Sequence, residues 1–464
     1  MNSLDDIIAA IATPIGEGGI SVIRVSGKGA IDLADRRFRG KRALGLATTH
    51  TAHFGCFKTL GGETIDEVVA TIYHAPHSYT GEDCVEVSCH GGLFVTRKIL
   101  EAIYDSGARP AEPGEFTKRA FLNGRMDLAQ AEAVADMIHS RSDISHRSSL
   151  AQLQGRLSNK IAELRERILN FCSLLELELD FAEEGLEFTD KYKIMSELED
   201  IHHSLSDLAD SYQSGKVHRD GVKIVLIGRP NVGKSSILNC LLNEERAIVT
   251  EVPGTTRDLI EESIMISGIL FRLFDCAGLR ESDDLVEKEG IRRTEREIDQ
   301  SDIIVFVTES HTGFLPEDRE ILEKAKKNKI DRKKFLIAVN KIDLNGRSDS
   351  EFPSETGEID KVFVSAKTGD GFLTLKDHLV NLAIRDTHFL SESSITITSG
   401  RHHNSLVRAC ESLKEGMEDI TVGKSNELVA VSLRRALGNL GEIIGLVTSE
   451  DIINNIFSKF CIGK

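Results

Sequence analysis

The sequence lacks an excess of positive charge: 57 Lys and Arg stand against 74 Asp and Glu, for a formal net charge of −17. Such a chain does not coat nucleic acid electrostatically, so any contact with RNA has to be local. The short runs Arg36-Arg37-Phe38-Arg39-Gly40-Lys41-Arg42 and Arg434-Arg435 are, by themselves, ordinary solvated surface. No CxxC pair occurs among the eight cysteines at 56, 84, 89, 172, 240, 276, 410 and 461, which points to a reducing compartment. No run of about 18 apolar residues is present, and Asp5 and Asp6 stand where a secretory signal would carry Lys or Arg. A soluble, cytoplasmic protein with no membrane partner is expected. There is no proline between Pro113 and Pro230, nor after Pro353, so both stretches are free to be helical. No 20–50-residue repeat and no low-complexity tract is evident.

What is present reads in three parts, as 464 residues allow for about three domains. Residues 1–120 carry alternating runs at Gly19–Val25, His53–Thr59, Asp66–Tyr73 and Asp83–Ser88, read as strands, with a helix over Phe94–Tyr104. They form an α+β domain. Leu150, Leu153, Leu157, Ile161, Leu164, Ile168, Phe171 and Leu175 recur every three or four residues and predict one long amphipathic helix. Further helical patterns cover Ser405–Met417, Asn426–Leu440 and Ser449–Phe460. Residues 121–218 and 382–464 are therefore read as one discontinuous helical domain, into which residues 219–381 are inserted. The fold class is multidomain α/β plus α, with a Ras-like P-loop domain as the insert.

That insert opens on an apolar run, Val222 to Ile227, leading into Gly228-Arg229-Pro230-Asn231-Val232-Gly233-Lys234-Ser235-Ser236. Gly228 and Gly233 let successive N–H groups face a polyphosphate, Lys234 reaches the β and γ phosphates, and the Ser235 hydroxyl ligates Mg2+. The helix that follows adds its positive N-terminal end. Three further motifs serve the same nucleotide. Asp275-Cys276-Ala277-Gly278 ends the alternating run Ile269–Phe274, which sets Asp275 near Mg2+ and Gly278 beside the γ-phosphate. Asn340-Lys341-Ile342-Asp343 closes the strand Phe335–Val339. The Asp343 carboxylate accepts from guanine N1–H and the 2-amino group; adenine would leave it unpaired, so the nucleotide is GTP or GDP. Ser365-Ala366-Lys367 follows Lys361–Val364, with the Ala366 N–H placed for guanine O6. Thr250 to Asp258 reads as switch I, with Thr256 completing the Mg2+ shell.

Leu279 stands where Ras-like proteins carry the water-orienting Gln. The stretch Glu281-Ser282-Asp283-Asp284-Leu285-Val286-Glu287 supplies carboxylates to replace it. No arginine finger is evident. Asn231 offers instead a side-chain carbonyl able to hold a monovalent cation against the phosphates. A ribosome-assembly GTPase of the Era type shares the P-loop asparagine and the apolar residue after DxxG. Such proteins carry a basic RNA-binding domain, which the helical C-terminus here is not.

Beyond these motifs, GGISVIRVSG, SYTGEDCVEVSCHGG, RPAEPGEFTKRAFLNGRMDLAQAEAVADMI, GRPNVGKSS, GTTRD, DCAGLRE and CIGK run the length of the chain. In these segments the sequence resembles the MnmE (TrmE) family of tRNA-modifying GTPases. The resemblance implies an N-terminal domain that dimerises and binds 5-formyl- or methylene-tetrahydrofolate, and a potassium-stimulated G domain. It implies a homodimer that joins an FAD-containing partner, MnmG, in a heterotetramer, FAD being bound only by the partner. Together they modify the wobble uridine of tRNA. By the same resemblance Arg24, Glu86, Arg125 and Lys464 bind folate. Asn231, Thr250, Val252 and Thr255 hold K+, and Glu287 orients the water. Cys461 matches the family's terminal cysteine: it is either a spare terminal thiol or a catalytic residue, since the preceding Ile452, Ile453, Ile456, Phe457 and Phe460 give an apolar face able to dock that tail and bring the sulfur near the one-carbon unit.

Overall fold

A computed structural model describes residues 6–180, 191–245, 261–275, 298–327, 335–345, 359–384 and 395–464. Their contacts divide the chain into two units, one of residues 1–138, 150–198 and 411–464, the other of residues 139–149 and 199–410.

In the first unit the alternating runs become β1 (Ile8–Ile11), β2 (Ile20–Ser26), β3 (Phe38–Gly40), β4 (Thr51–Lys58), β5 (Thr64–Tyr73), β6 (Cys84–His90) and β7 (Arg109–Pro110). They form a seven-stranded sheet in the order β3-β4-β5-β6-β2-β1-β7. All neighbours are antiparallel except β1 and β7. Alternation sorts the two faces: Ile23, Val25, Val85, Val87, Ala70 and Ile72 are buried, in a core shared with Ile99 and Ile103 of helix Leu93–Tyr104. On the opposite face the register sets Arg24 beside Glu86 and Glu86 beside Thr71.

The predicted long helix is two helices, Asp143–Leu153 and Arg156–Asp180. Gly155 separates them in a left-handed conformation, φ +81°, the usual geometry of a helix terminus. Gln130 Nε2 donates to the Leu153 carbonyl at 2.9 Å, satisfying a group that a continuous helix would have bonded internally. The apolar spacing runs through this break in the sequence, but the two pieces differ: the second buries Leu157, Ile161, Leu164 and Ile168, whereas the first buries Ser145, Ser149 and Gln152 and leaves Leu150 exposed. Arg156–Asp180 packs along Asn426–Ile444, with Arg165 Nε donating to the Leu437 carbonyl at 3.3 Å and Asn426 Nδ2 to Glu178 at 2.9 Å. Helices Gly400–Val422 and Glu450–Phe457 fall where the C-terminal patterns predict them.

The second unit contains a six-stranded sheet in the order β13-β12-β11-β8-β10-β9. Its strands are β8 (Val222–Ile227), β9 (Glu261–Ile266), β10 (Ile269–Asp275), β11 (Ile303–Glu309), β12 (Phe335–Asn340) and β13 (Asp360–Phe363). Only β9 runs antiparallel to its neighbour. β11 and β12 are buried at every position, as a parallel sheet covered on both faces requires. One face packs Ile224 and Leu226 against Ile237, Leu241, Leu375 and Leu379; the other packs Val225 and Ile227 with Phe306, Ile337 and Leu322. The C-terminal ends of β8, β11 and β12 thus share one edge of the sheet, where ligands bind in folds of this kind. Among the described residues no helix is long and apolar enough to cross a membrane.

Candidate functional sites

At that edge the loop after β8 curls around Lys234. Its Nζ donates to the carbonyls of Gly228 at 2.9 Å and Arg229 at 2.8 Å, and the residue is only 8% exposed. Asn231 sits at the loop tip with φ +65°, its side chain exposed. Gly233 has φ +94°, and a Cβ there would stand 2.2 Å from Asn340 Nδ2, so no other residue fits without moving the base-recognition loop. Ser235 and Ser236, both exposed, lie in the first turn of helix Lys234–Glu245. Their position suits metal and phosphate at a positive helix end.

Asn340, 2% exposed, ties three loops together. Its Nδ2 donates to the Val232 carbonyl at 2.9 Å and its Oδ1 accepts from the Ala366 N–H at 3.1 Å. The Ala366 N–H expected to face guanine O6 is therefore engaged here, and a base oxygen must share or take it. Lys341 Nζ donates to the Asn231 carbonyl at 2.9 Å. Asp343 Oδ1 accepts from Ser365 Oγ at 2.8 Å, while Ser365 Oγ accepts from the Thr368 N–H at 3.2 Å. These bonds hold the carboxylate at the mouth of the site, and Lys367 beside it is exposed. The structure brings together Asn231, Val232, Gly233, Lys234, Asn340, Lys341, Asp343, Ser365 and Ala366. Asp275 ends β10, paired with Leu226. Thr250, Val252, Thr255, Thr256, Cys276, Ala277, Gly278 and Glu287 lie outside the described residues.

A second site lies on the open face of the N-terminal sheet. Arg24 Nε and Nη2 both donate to Glu86 Oε1, at 2.9 and 2.8 Å. The guanidinium carbon stands 4.8 Å from the Tyr79 ring centroid and 5.6 Å from that of Phe116, a cation–π arrangement that fixes its plane. Arg24 Nη1 is buried without a hydrogen-bond partner. A buried unmet donor on a guanidinium is costly unless a ligand acceptor meets it. Burial, and then the negative charge of Glu86, pushes the Tyr73 hydroxyl up from its ordinary value. Burial pushes the neighbouring Cys84 thiol up to about 12, so it is a neutral wall and not a nucleophile.

The C-terminal tail reaches this face. The Gly114 N–H donates to the Cys461 carbonyl at 3.4 Å, and a Cβ on Gly463 would stand 2.3 Å from the Ile11 carbonyl oxygen. Lys464 is close enough to Arg24 and Glu86 for both to act on it: burial, then the like charge of Arg24, lowers the ammonium, against the opposing pull of Glu86. Cys461 is exposed and adjoins Lys464. Phe457 and Phe460 are buried with Leu128, Ala131 and Val134, which anchors the tail. Arg24, Glu86 and Lys464 are thus brought together, whereas Arg125 is exposed and stands beside Gly81.

A buried ionic layer supports the loop that carries Gly81. Arg119, 1% exposed, pairs with Asp6 at 2.6 Å, Glu115 at 3.0 Å and Glu82 at 3.2 Å, and Glu82 also accepts from Ser26 Oγ at 2.9 Å. Burial alone would raise the Glu115 carboxyl; hydrogen bonds from Arg109, the Glu112 N–H and Arg119 outweigh it and leave the group below its ordinary value. Asp6 is lowered in the same way by Arg109 and Arg119. Sequence reading missed Tyr73, Tyr79, Phe116 and this layer, because Tyr79 lies in a loop and Phe116, Glu115 and Arg119 on helix Glu115–Leu122, and only the folded chain brings them to the sheet.

The family description "MnmE helical domain" matches residues 128–461, and "GTP-binding protein TrmE N-terminus" matches residues 7–125. A protein of Chlorobaculum tepidum named tRNA modification GTPase MnmE is 44% identical, over 98% of this chain and 97% of its own. The protein of that name from Salinibacter ruber is 43% identical over the full length of both. A solved structure of an Aquifex aeolicus Era variant bound to GDP and aluminium fluoride is 21% identical, covering 48% of this chain and 89% of that one, with a TM-score of 0.28. The full-length matches take in both flanks of the P-loop unit, which removes the ribosome-assembly alternative. From its first strands to its C-terminal tail, the chain belongs to the MnmE (TrmE) family.

Proposed function

We propose that this protein is a potassium-stimulated GTPase that, with the FAD-containing partner MnmG, installs an aminomethyl or carboxymethylaminomethyl group at C5 of the wobble uridine of tRNA. The observation that carries the reading is 44% identity over 98% of the chain to a relative named tRNA modification GTPase. The chain hydrolyses GTP, as the family's curated members do. Asn231, Lys234, Ser235, Asn340, Asp343 and Ala366 hold the nucleotide, Thr256 completes the Mg2+ shell, Thr250, Val252 and Thr255 complete the K+ site, and Glu287 orients the water.

The open face of the N-terminal sheet fits a reduced folate. The unmet Arg24 Nη1 and the Lys464 ammonium suit its carbonyl and carboxylate oxygens, and Glu86 offers an acceptor to its amino group. A bound tetrahydrofolate would supply the one-carbon unit. Arg24 and Lys464 orient it, and Arg125 closes the outer side. The protomers pair through residues 1–120, and hydrolysis is coupled to pairing of two G domains. The division into residues 1–120, 121–218 with 382–464, and 219–381 is part of this reading.

The test is nucleoside analysis of tRNA from a strain deleted for the gene and complemented with wild type or Cys461→Ser. Wild type restores the modified uridine. Cys461→Ser does not, although its GTP turnover persists. Failure of wild type to restore the nucleoside defeats the reading; full restoration by the variant removes the thiol from the chemistry.

A further inference from the structure

We propose that Glu309, at the C-terminal end of β11, is a positioning residue of the guanine-nucleotide site and acts through Lys341. The inference rests on the guanine-nucleotide reading above and adds a residue that none of the recognised motifs contains. Glu309 is 8% exposed, and its Oε1 forms an ion pair with Lys341 Nζ. The same Nζ donates to the Asn231 carbonyl at 2.9 Å. Lys341 has φ +63°, a left-handed conformation unusual for a lysine, and is held there from both ends. Its backbone carbonyl accepts from Ser310 Oγ at 3.1 Å, and the Asn340 carbonyl accepts from the Ser310 N–H at 2.8 Å.

From Glu309 the contacts run back to the phosphate loop by a second route. Thr312 Oγ1 donates to Glu309 Oε2 at 3.4 Å and accepts from Arg229 Nη2 at 3.2 Å, and Arg229 Nε is fixed by the fully buried Asp318 at 2.8 Å. The result is a closed ring: Asn231 to Lys341, Lys341 to Glu309, Glu309 to Thr312, and Thr312 to Arg229, two residues before Asn231. A nucleotide with its base at Asp343 and its phosphates on the loop around Lys234 has to lie along the Lys341 stem, which spans those two points. Lysine has four rotatable bonds and a hydrated head, so an unanchored stem would sweep through that volume. Glu309 holds the stem in place before the nucleotide arrives, and the affinity gained is that of preorganisation.

Such a role affects ground state and transition state alike, so it falls on KM and not on kcat. Glu309→Gln keeps the shape and removes the charge. Binding of GDP should weaken by roughly 10- to 100-fold, the scale of one charge-assisted hydrogen bond. KM for GTP should rise in step, with kcat within about twofold of wild type. Glu309→Asp, with the charge kept on a shorter arm, should fall between. Lys341→Met removes the bond to the Asn231 carbonyl as well as the ion pair with Glu309, so it should cost at least as much as Glu309→Gln, and the double variant should be no worse than Lys341→Met alone. Thermal melting of each variant confirms folding.

GDP affinity unchanged in Glu309→Gln overturns the proposal, as does a lower kcat at unchanged KM. Losses that add in the double variant assign Glu309 a role independent of Lys341 and also overturn it. If wild type itself binds no guanine nucleotide, the reading under the proposed function falls, and this inference with it.

Discussion

The two candidate sites are built differently. At the edge of the six-stranded sheet the side chains are set by a tight backbone loop, with Lys234, Asn340 and Lys341 all hydrogen-bonded to its carbonyls. On the N-terminal sheet they come from separate parts of the chain: Arg24 on β2, Glu86 on β6, and Lys464 from the tail. Among the described residues, the side chains of the first site bond to loop carbonyls and to one another, and a nucleotide would trade for those bonds. The second leaves Arg24 Nη1 unmet. A loop whose groups already bond one another gains only the difference when it binds a ligand, whereas a ligand acceptor that meets a buried orphan donor stabilises the fold as well.

Four measurements sharpen or break this contrast. The largest effect is expected for the monovalent cation. With no arginine finger evident in the sequence and Leu279 at the glutamine position, replacing K+ by Na+ at matched ionic strength should slow GTP turnover by roughly 100- to 1,000-fold, the loss of one charge-stabilising element. Equal rates would mean that the phosphate loop works without the cation.

Next is the base. On the proposed reading the Asp343 carboxylate receives two guanine N–H groups, so in Asp343→Asn GTP affinity should fall by about 100-fold and xanthosine nucleotides should gain, an amide offering the donor that xanthine needs. GTP titration that matches wild type would detach Asp343 from base recognition.

On the sheet, Arg24→Gln should weaken binding of a reduced folate by on the order of 10-fold or more, since it removes a charge-assisted donor. Binding by calorimetry is the measurement, with GDP binding on the same sample as the check on folding. Unaltered folate affinity would make the Arg24–Glu86 pair a structural strut, and the contrast with the phosphate loop would collapse.

The smallest effect concerns the layer beneath. Asp6 and Glu115 are held below their ordinary values by Arg109 and Arg119, so their contribution to stability is fully present above the unfolded carboxylate range and is lost as pH falls through the lowered folded values. Glu115→Gln should lower Tm at neutral pH and flatten the acid side of the Tm profile. Parallel profiles for wild type and variant would count against the network.

The same contrast explains how much could be read in advance. Gly233, Lys234 and Asp343 were legible because backbone cradles need glycine at fixed offsets and base recognition needs a carboxylate at a strand end. The strands themselves were legible from alternation. Arg24 and Glu86 were not legible as a pair from pattern alone: they stand 62 residues apart, and only the β2–β6 register makes them neighbours. The family resemblance had to supply them. The break at Gly155 was hidden by an apolar spacing that runs through it in the sequence. Glu309 carried a faint signal, an acidic residue ending an apolar strand whose neighbours end in nucleotide motifs, but its link to Lys341 is made only in the folded structure.

The docking of the tail has a further consequence, for the order in which the molecule matures. Arg24 and Glu86 belong to the first strands made, yet Lys464 joins them only after the whole second unit has been synthesised between. Closing so long a loop adds little entropic cost over a shorter one, because that cost grows only logarithmically with length. The sequence of events is nevertheless constrained: every strand pairing of this sheet lies between Ile8 and Pro110, while the tail segment is made later. A fragment ending after the seven-stranded sheet would hold Arg24 and Glu86 in register without Lys464, so the side-chain site is assembled only by joining early and late parts of the polypeptide.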